Sequence, residues 1–144
     1  MGELAGLGLE AATVDRHGYA TARLPGRGAR PDAPTIGLIA HLDTALEVSG
    51  ADVRPRVVEE YDGGVVELGH SLRLDPAAFP DLAGKRGKTL VVTAGATLLG
   101  ADDKAGIAVI MTVPEELPNP PALPHPPVAI AFPPHAEHGH RPTL

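Results

Sequence analysis

The sequence predicts an α/β fold with a mixed, largely parallel sheet and flanking helices. Two observations carry this. Short unbroken apolar runs, TIGLIA (35–40), TLVVT (89–93) and VAIAF (128–132), have strand length. The first reads as a strand buried on both faces, as in sheets covered by helices. A stretch with helical character, ADDKAGIAVIMT (101–112), follows a strand directly.

The elements follow in order. ELAGLGLEA (3–11) reads as the last turns of a helix, with Gly8 near its end. ATVD (12–15) and YATARL (19–24) read as strands around an Arg16-His17-Gly18 turn. Asp15 and His17 are ordinary turn residues there. GRGARPDAP (26–34) is a surface loop, and TIGLIA follows it. Residues 51–88 mix the strand-like pieces RVVEEY and GVVELG with a proline-flanked helical turn, DPAAFPDLAG. The basic cluster KRGK (85–88) reads as a solvated loop. TLVVT and ATLLG (96–100) are expected to be two strands around Ala94-Gly95. The helix after Gly100 is not expected to run undisturbed through Pro114 and Pro118, because each proline removes a donor and clashes with the preceding turn. Composition changes at this point: residues 113–144 hold ten of the 16 prolines and four of the seven histidines. VAIAF is still a strand, and PPHAEHGHRPTL reads as no regular element.

Composition narrows the function. The chain has 144 residues, 43% hydrophobic, with aromatics at 3% and no Trp, so its core must be aliphatic. Net charge is -6, and no basic stripe interleaved with aromatics occurs, which argues against nucleic-acid binding. There is no cysteine, hence no disulfide or thiolate chemistry. No apolar run is long enough to span a bilayer and no leader pattern opens the chain. The expectation is a cytoplasmic protein with no membrane partner.

Three places carry candidate chemistry. His41 and Asp43 end the TIGLIA strand and point to the same side of it. A neutral imidazole is a good zinc ligand, and a neighbouring carboxylate can fix its tautomer. The alternative is a strand that simply reaches the surface. Asp102 and Asp103 are adjacent carboxylates at a strand-to-helix junction, where a cation or a helix N-terminus would offset their repulsion. The alternative is that one of them is a helix N-cap. Glu137 follows VAIAF among His135, His138 and His140, either as a further ligand or in a polar tail. Nitrogen and oxygen donors without sulfur suit zinc, cobalt or manganese.

DRHGYATARLP, PTIGLIAHLDT, SGADVRPRVVEEYDGG, FPDLAGKRGKTLVVT and TLLGADDKAGIAVIMT resemble, in order and spacing, the N-terminal part of the peptidase T family. These are tripeptide aminopeptidases of the di-zinc aminoacylase and carboxypeptidase superfamily. The resemblance covers residues 3–112 closely and 123–139 loosely. It implies an incomplete zinc-peptidase catalytic domain, with residues 1–112 its N-terminal part and 113–144 a Pro/His-rich degenerate continuation of the same domain. By resemblance His41 is a zinc ligand, Asp43 is the catalytic acid that orients it, Asp102 bridges two metal ions, and Glu137 is a metal ligand. The family's general base is the first Glu of a GluGlu pair, and here that position is Ala136. Two further ligands and the dimerisation domain of the family are not in this sequence. The resemblance therefore implies two zinc ions, tripeptide substrates, and a truncated chain that is inactive alone. A non-catalytic metal-binding module and a related deacylase or carboxypeptidase are the alternatives, and residues 49–87 count against the latter.

Overall fold

A computed structural model describes residues 2–117 and 123–137. The chain forms two compact units, one of Met1–Ala45 with Ala101–Leu144, the other of Leu46–Gly100.

The first unit opens with the short helix α1 (Gly2–Gly6), which buries Leu4. Gly8, at φ 72°, turns the chain into β1 (Glu10–Val14). β2 (Ala20–Leu24) returns antiparallel to it. Asp15 holds the hairpin: its Oδ1 accepts the amides of His17 at 2.8 Å and Tyr19 at 2.9 Å. These bonds, the Tyr19 one foremost, lower its pKa. Asp15 and His17 are thus turn residues, as the sequence indicates.

β3 (Ile36–Ile39) and, far along the chain, β8 (Val128–Phe132) complete a four-stranded sheet in the order β1-β2-β8-β3. The sheet is mixed. β8 runs antiparallel to β2 and parallel to β3, while the tight β1–β2 turn allows only antiparallel pairing there. Along β8, Val128, Ile130 and Phe132 are buried and the small Ala129 and Ala131 alternate with them. The buried set packs with Ala22, Leu24, Ala40 and Ile110 into the core of this unit. Ile110 comes from the helix α2 (Ala101–Glu116).

The second unit contains β4 (Arg56–Val58) paired antiparallel with β7 (Leu90–Val92), the hairpin β5 (Val66–Gly69) and β6 (Leu72–Leu74), and a 3₁₀ helix, Pro80–Lys85. Tyr61, Val66 and Val92 form its small core. The Tyr61 hydroxyl donates to the Gly64 carbonyl at 2.6 Å, which satisfies the one polar atom of that buried ring.

Four local expectations are corrected. β3 is not buried on both faces: Ile36 and Ile39 are 47% and 67% exposed, because β3 is the edge of its sheet. ATLLG is not a strand. Thr93 and Thr97 instead pair hydroxyls at 3.1 Å across a turn at Gly95, φ 89°. β6 stands where no strand is expected. Finally, α2 continues through Pro114. That proline is near the helix end and buried, and the ladder resumes with the Leu117 amide on the Val113 carbonyl at 3.0 Å. The helix ends before Pro118, which with residues 119–122 and His138, His140 and the rest of 138–144 lies outside the described residues. Among the described residues no helix is long and apolar enough to cross a membrane.

Ile130 is 2% exposed at the centre of the sheet. Ile130→Ala is expected to destabilise the protein by about 2–5 kcal/mol through lost burial and a residual cavity. Urea unfolding measures this, and a loss well under about 1 kcal/mol would contradict the placement of the core.

Candidate metal centre

β3 and β8 run parallel and finish at the same edge of the sheet. Their pairing continues beyond the strands: the Ala40 amide bonds the Ala131 carbonyl at 3.3 Å, and the Leu42 amide bonds the Pro133 carbonyl at 2.8 Å. Residues 41–43 and 134–137 are thereby delivered side by side. Asp43 ties the two segments together. Its Oδ1 accepts the Ala136 amide at 3.0 Å and its Oδ2 accepts the Glu137 amide at 2.9 Å.

The third segment is the start of α2. Asp102 (φ -92°, ψ 106°) and Asp103 (φ -120°, ψ 34°) are not helical, so the regular helix begins at Lys104. The Asp102–Asp103 peptide is cis. Asp103 Oδ1 accepts the Gly106 amide at 3.1 Å, three residues on, which is the N-cap bond. The N-cap reading of the sequence therefore holds for Asp103.

These segments surround one imidazole. His41 Nδ1 lies 3.0 Å from the Asp43 carbonyl oxygen and 3.3 Å from Asp43 Oδ1. Both are acceptors, so Nδ1 carries the hydrogen. Nε2 faces Asp102 Oδ1 at 3.0 Å and Glu137 Oε1 at 3.6 Å. The His41 and Asp43 side chains are only 15% and 12% exposed, whereas Asp102 is 86% exposed. The structure thus brings His41, Asp43, Asp102 and Glu137 together. Ala136 contributes its amide and presents only a methyl group. His135 is exposed beside it.

Desolvation disfavours the His41 imidazolium. The Asp102 hydrogen bond, the Asp43 carbonyl and the charges of both carboxylates outweigh it, and the pKa is raised above 6.5. For Asp43 desolvation again opposes the charged form, but the Glu137 and Ala136 amides prevail and hold its pKa low.

The donor set fits a cation. With Nδ1 protonated, the Nε2 lone pair and the oxygens of Asp102 and Glu137 repel one another unless a second proton or a metal ion lies between them. His41, Asp102 and Asp103 also offer one ligand atom each within 4.8 Å of one another. The sequence paired Asp103 with Asp102 or left one of the two as an N-cap, and did not name Asp103 as a ligand. The signal that could have marked it is its adjacency to Asp102 with a glycine three residues on.

No family model matches the chain. It is 47% identical over 144 residues to Peptidase T of Brevibacillus brevis (strain 47 / JCM 6285 / NBRC 100599), covering 99% of this chain. It is 50% identical over 141 residues to Peptidase T of Shouchella clausii (strain KSM-K16), covering 98%. The chain is a homologue of peptidase T. It spans 35% and 34% of the length of those two relatives. The crystal structure of aminopeptidase PepT from Bacillus cereus ATCC 10987 has the same fold over 96% of this chain and 30% of its own, with a TM-score of 0.65 and 22% identity.

One pH test follows for the metal-free peptidase T homologue. Because folding raises the His41 pKa, this group stabilises the fold below its unfolded value near 6.5, and that contribution is lost as pH rises through the folded value. The stability of the wild-type chain is expected to fall across this range more steeply than that of His41→Ala. Denaturation at a series of pH values measures it, and parallel curves would contradict the ion pairing described.

Proposed function

We propose that the chain carries the metal-holding part of a peptidase T-type aminopeptidase site, which in the whole enzyme removes the N-terminal residue of tripeptides in the cytoplasm. The observation that carries this reading is the convergence of three carboxylates on the His41 imidazole. His41, Asp102 and Glu137 are the metal ligands, and Asp43 orients the imidazole as its hydrogen-bond acceptor. Zinc, cobalt or manganese suits these donors, and the family resemblance implies two ions. A bound zinc ion supplies Lewis acidity for a peptide carbonyl and lowers the pKa of water to about 7.

The chain's own residues would do the following. The backbone carbonyl of Asp43 holds the Nδ1 proton of His41, with the amide-fixed Asp43 carboxylate 3.3 Å away, and leaves Nε2 as a ligand. The exposed Asp102 keeps the centre open to a peptide from solvent. Residues 113–144 belong with 1–112 in one catalytic domain, which is supported by the seat of β8 between β2 and β3. No carboxylate stands at the base position: Ala136 cannot take a proton, and Glu137 is engaged as a ligand. General acid-base catalysis contributes ~10²–10⁴-fold, so the second reading, a metal-binding chain without turnover, rests on Ala136.

Titration calorimetry with zinc is expected to show binding that His41→Ala largely removes and Asp43→Asn weakens by ~10–100-fold. Binding that is unchanged in His41→Ala would contradict the site. With zinc, cobalt or manganese added, no release of the N-terminal residue from a tripeptide is expected. Robust turnover abolished by Asp102→Ala would overturn the reading of Ala136.

A further inference from the structure

Asp103 lies close enough to His41 and Asp102 to be taken for a third metal ligand. Its hydrogen bonds describe a different task. Both carboxylate oxygens are engaged by backbone amides from two separate parts of the chain. Oδ1 accepts the Gly106 amide at 3.1 Å, and Oδ2 accepts the His41 amide at 3.2 Å. One bond starts the helix α2, and the other grips the end of β3. The fit is close: a Cβ built on Gly106 would lie 2.2 Å from Asp103 Oδ1. A side chain at 106 would therefore push Asp103 off its seat. The next residue adds a second tether, because the Lys104 ammonium donates to the carbonyl of Leu42, between His41 and Asp43.

We infer that Asp103 is a positioning residue, a staple that joins the N-terminus of α2 to the His41 backbone and so sets the spacing of Asp102 and His41. This rests on the metal-centre reading above. The 3.0 Å approach of His41 Nε2 to Asp102 Oδ1 joins side chains 61 residues apart in sequence. It depends on how the two backbones are held, since the exposed Asp102 side chain has little else to fix it. Lys104 supports the same alignment through the Leu42 carbonyl. The assignment gives the two adjacent aspartates different jobs: Asp102 faces the imidazole, and Asp103 faces the amides.

The test has two arms. In the metal-free chain, amide hydrogen exchange followed by NMR reads the staple directly. Asp103→Asn keeps one acceptor oxygen, and asparagine is a good N-cap. It is expected to keep protection at the Gly106 amide while exchange at the His41 amide quickens roughly tenfold or more, the scale of a lost hydrogen bond to a charged group. Asp103→Ala is expected to lose protection at both, with the Ile130 amide unchanged as the control for a folded sheet. In the second arm, cobalt titration of Asp103→Ala is expected to show affinity reduced by ~10–100-fold. Its visible spectrum at saturation should match the wild type, whereas Asp102→Ala should change the spectrum. Wild-type exchange at His41 in both Asp103 variants would overturn the inference. So would a saturated cobalt spectrum altered in Asp103→Ala as in Asp102→Ala, which would make Asp103 a ligand. If His41→Ala and Asp102→Ala leave cobalt binding unchanged, the metal-centre reading fails, and the exchange arm still decides whether Asp103 is the staple.

Discussion

The parallel pairing of β3 with β8 governs where everything else can stand. Two strands that run the same way end at the same edge, and the residues just beyond their ends become neighbours without further construction. Four successive partners, Ile36 with Val128 through Ile39 with Ala131, set the register. The bonds at Ala40 and Leu42 carry it to the edge. A slip of one residue would turn every side chain of one strand to the opposite face. It would also move His41 and Asp43 away from Glu137. The alternation in β8, large residues into the core and alanines outward, holds the register against such a slip.

On that frame the site is assembled largely from backbone. Asp43 spends both oxygens on the amides of residues 136 and 137, and Asp103 spends both on amides at 41 and 106. Each carboxylate is a strong acceptor, and a bond from an N–H to a charged group contributes more than one between neutral groups. The concentration of negative charge is offset by backbone amides, the helix N-terminus and the Lys104 ammonium. A divalent cation beside His41 Nε2 would meet these same groups.

Much of this was legible in the sequence. Strand-like runs ending in His41 and followed by Glu137, and the adjacent acids before a helix, located the four residues that meet. The hairpin at Asp15 was legible because turn chemistry is local. Other features were not local. The exposure of Ile36 and Ile39 depends on β3 lying at the sheet edge, which an apolar run does not reveal. Pro114 is tolerated because it is buried near the helix end, a matter of packing. ATLLG has strand composition, yet a hydroxyl pair and a glycine turn take the chain elsewhere. Asp103 and Asp102 are identical in kind; the family resemblance singled out Asp102, but only the fold could assign Asp103 to the amides of His41 and Gly106.

The central claim is that His41 Nε2 and carboxylate oxygens converge on a bound cation. X-ray absorption at the zinc edge, on the zinc-loaded chain and on His41→Gln, tests this most directly. The account expects nitrogen and oxygen donors at about 2.0–2.2 Å, with the multiple-scattering signature of one imidazole that disappears in His41→Gln. A signature of several imidazoles, or one that persists unchanged in His41→Gln, would place the ion among other histidines and contradict the account.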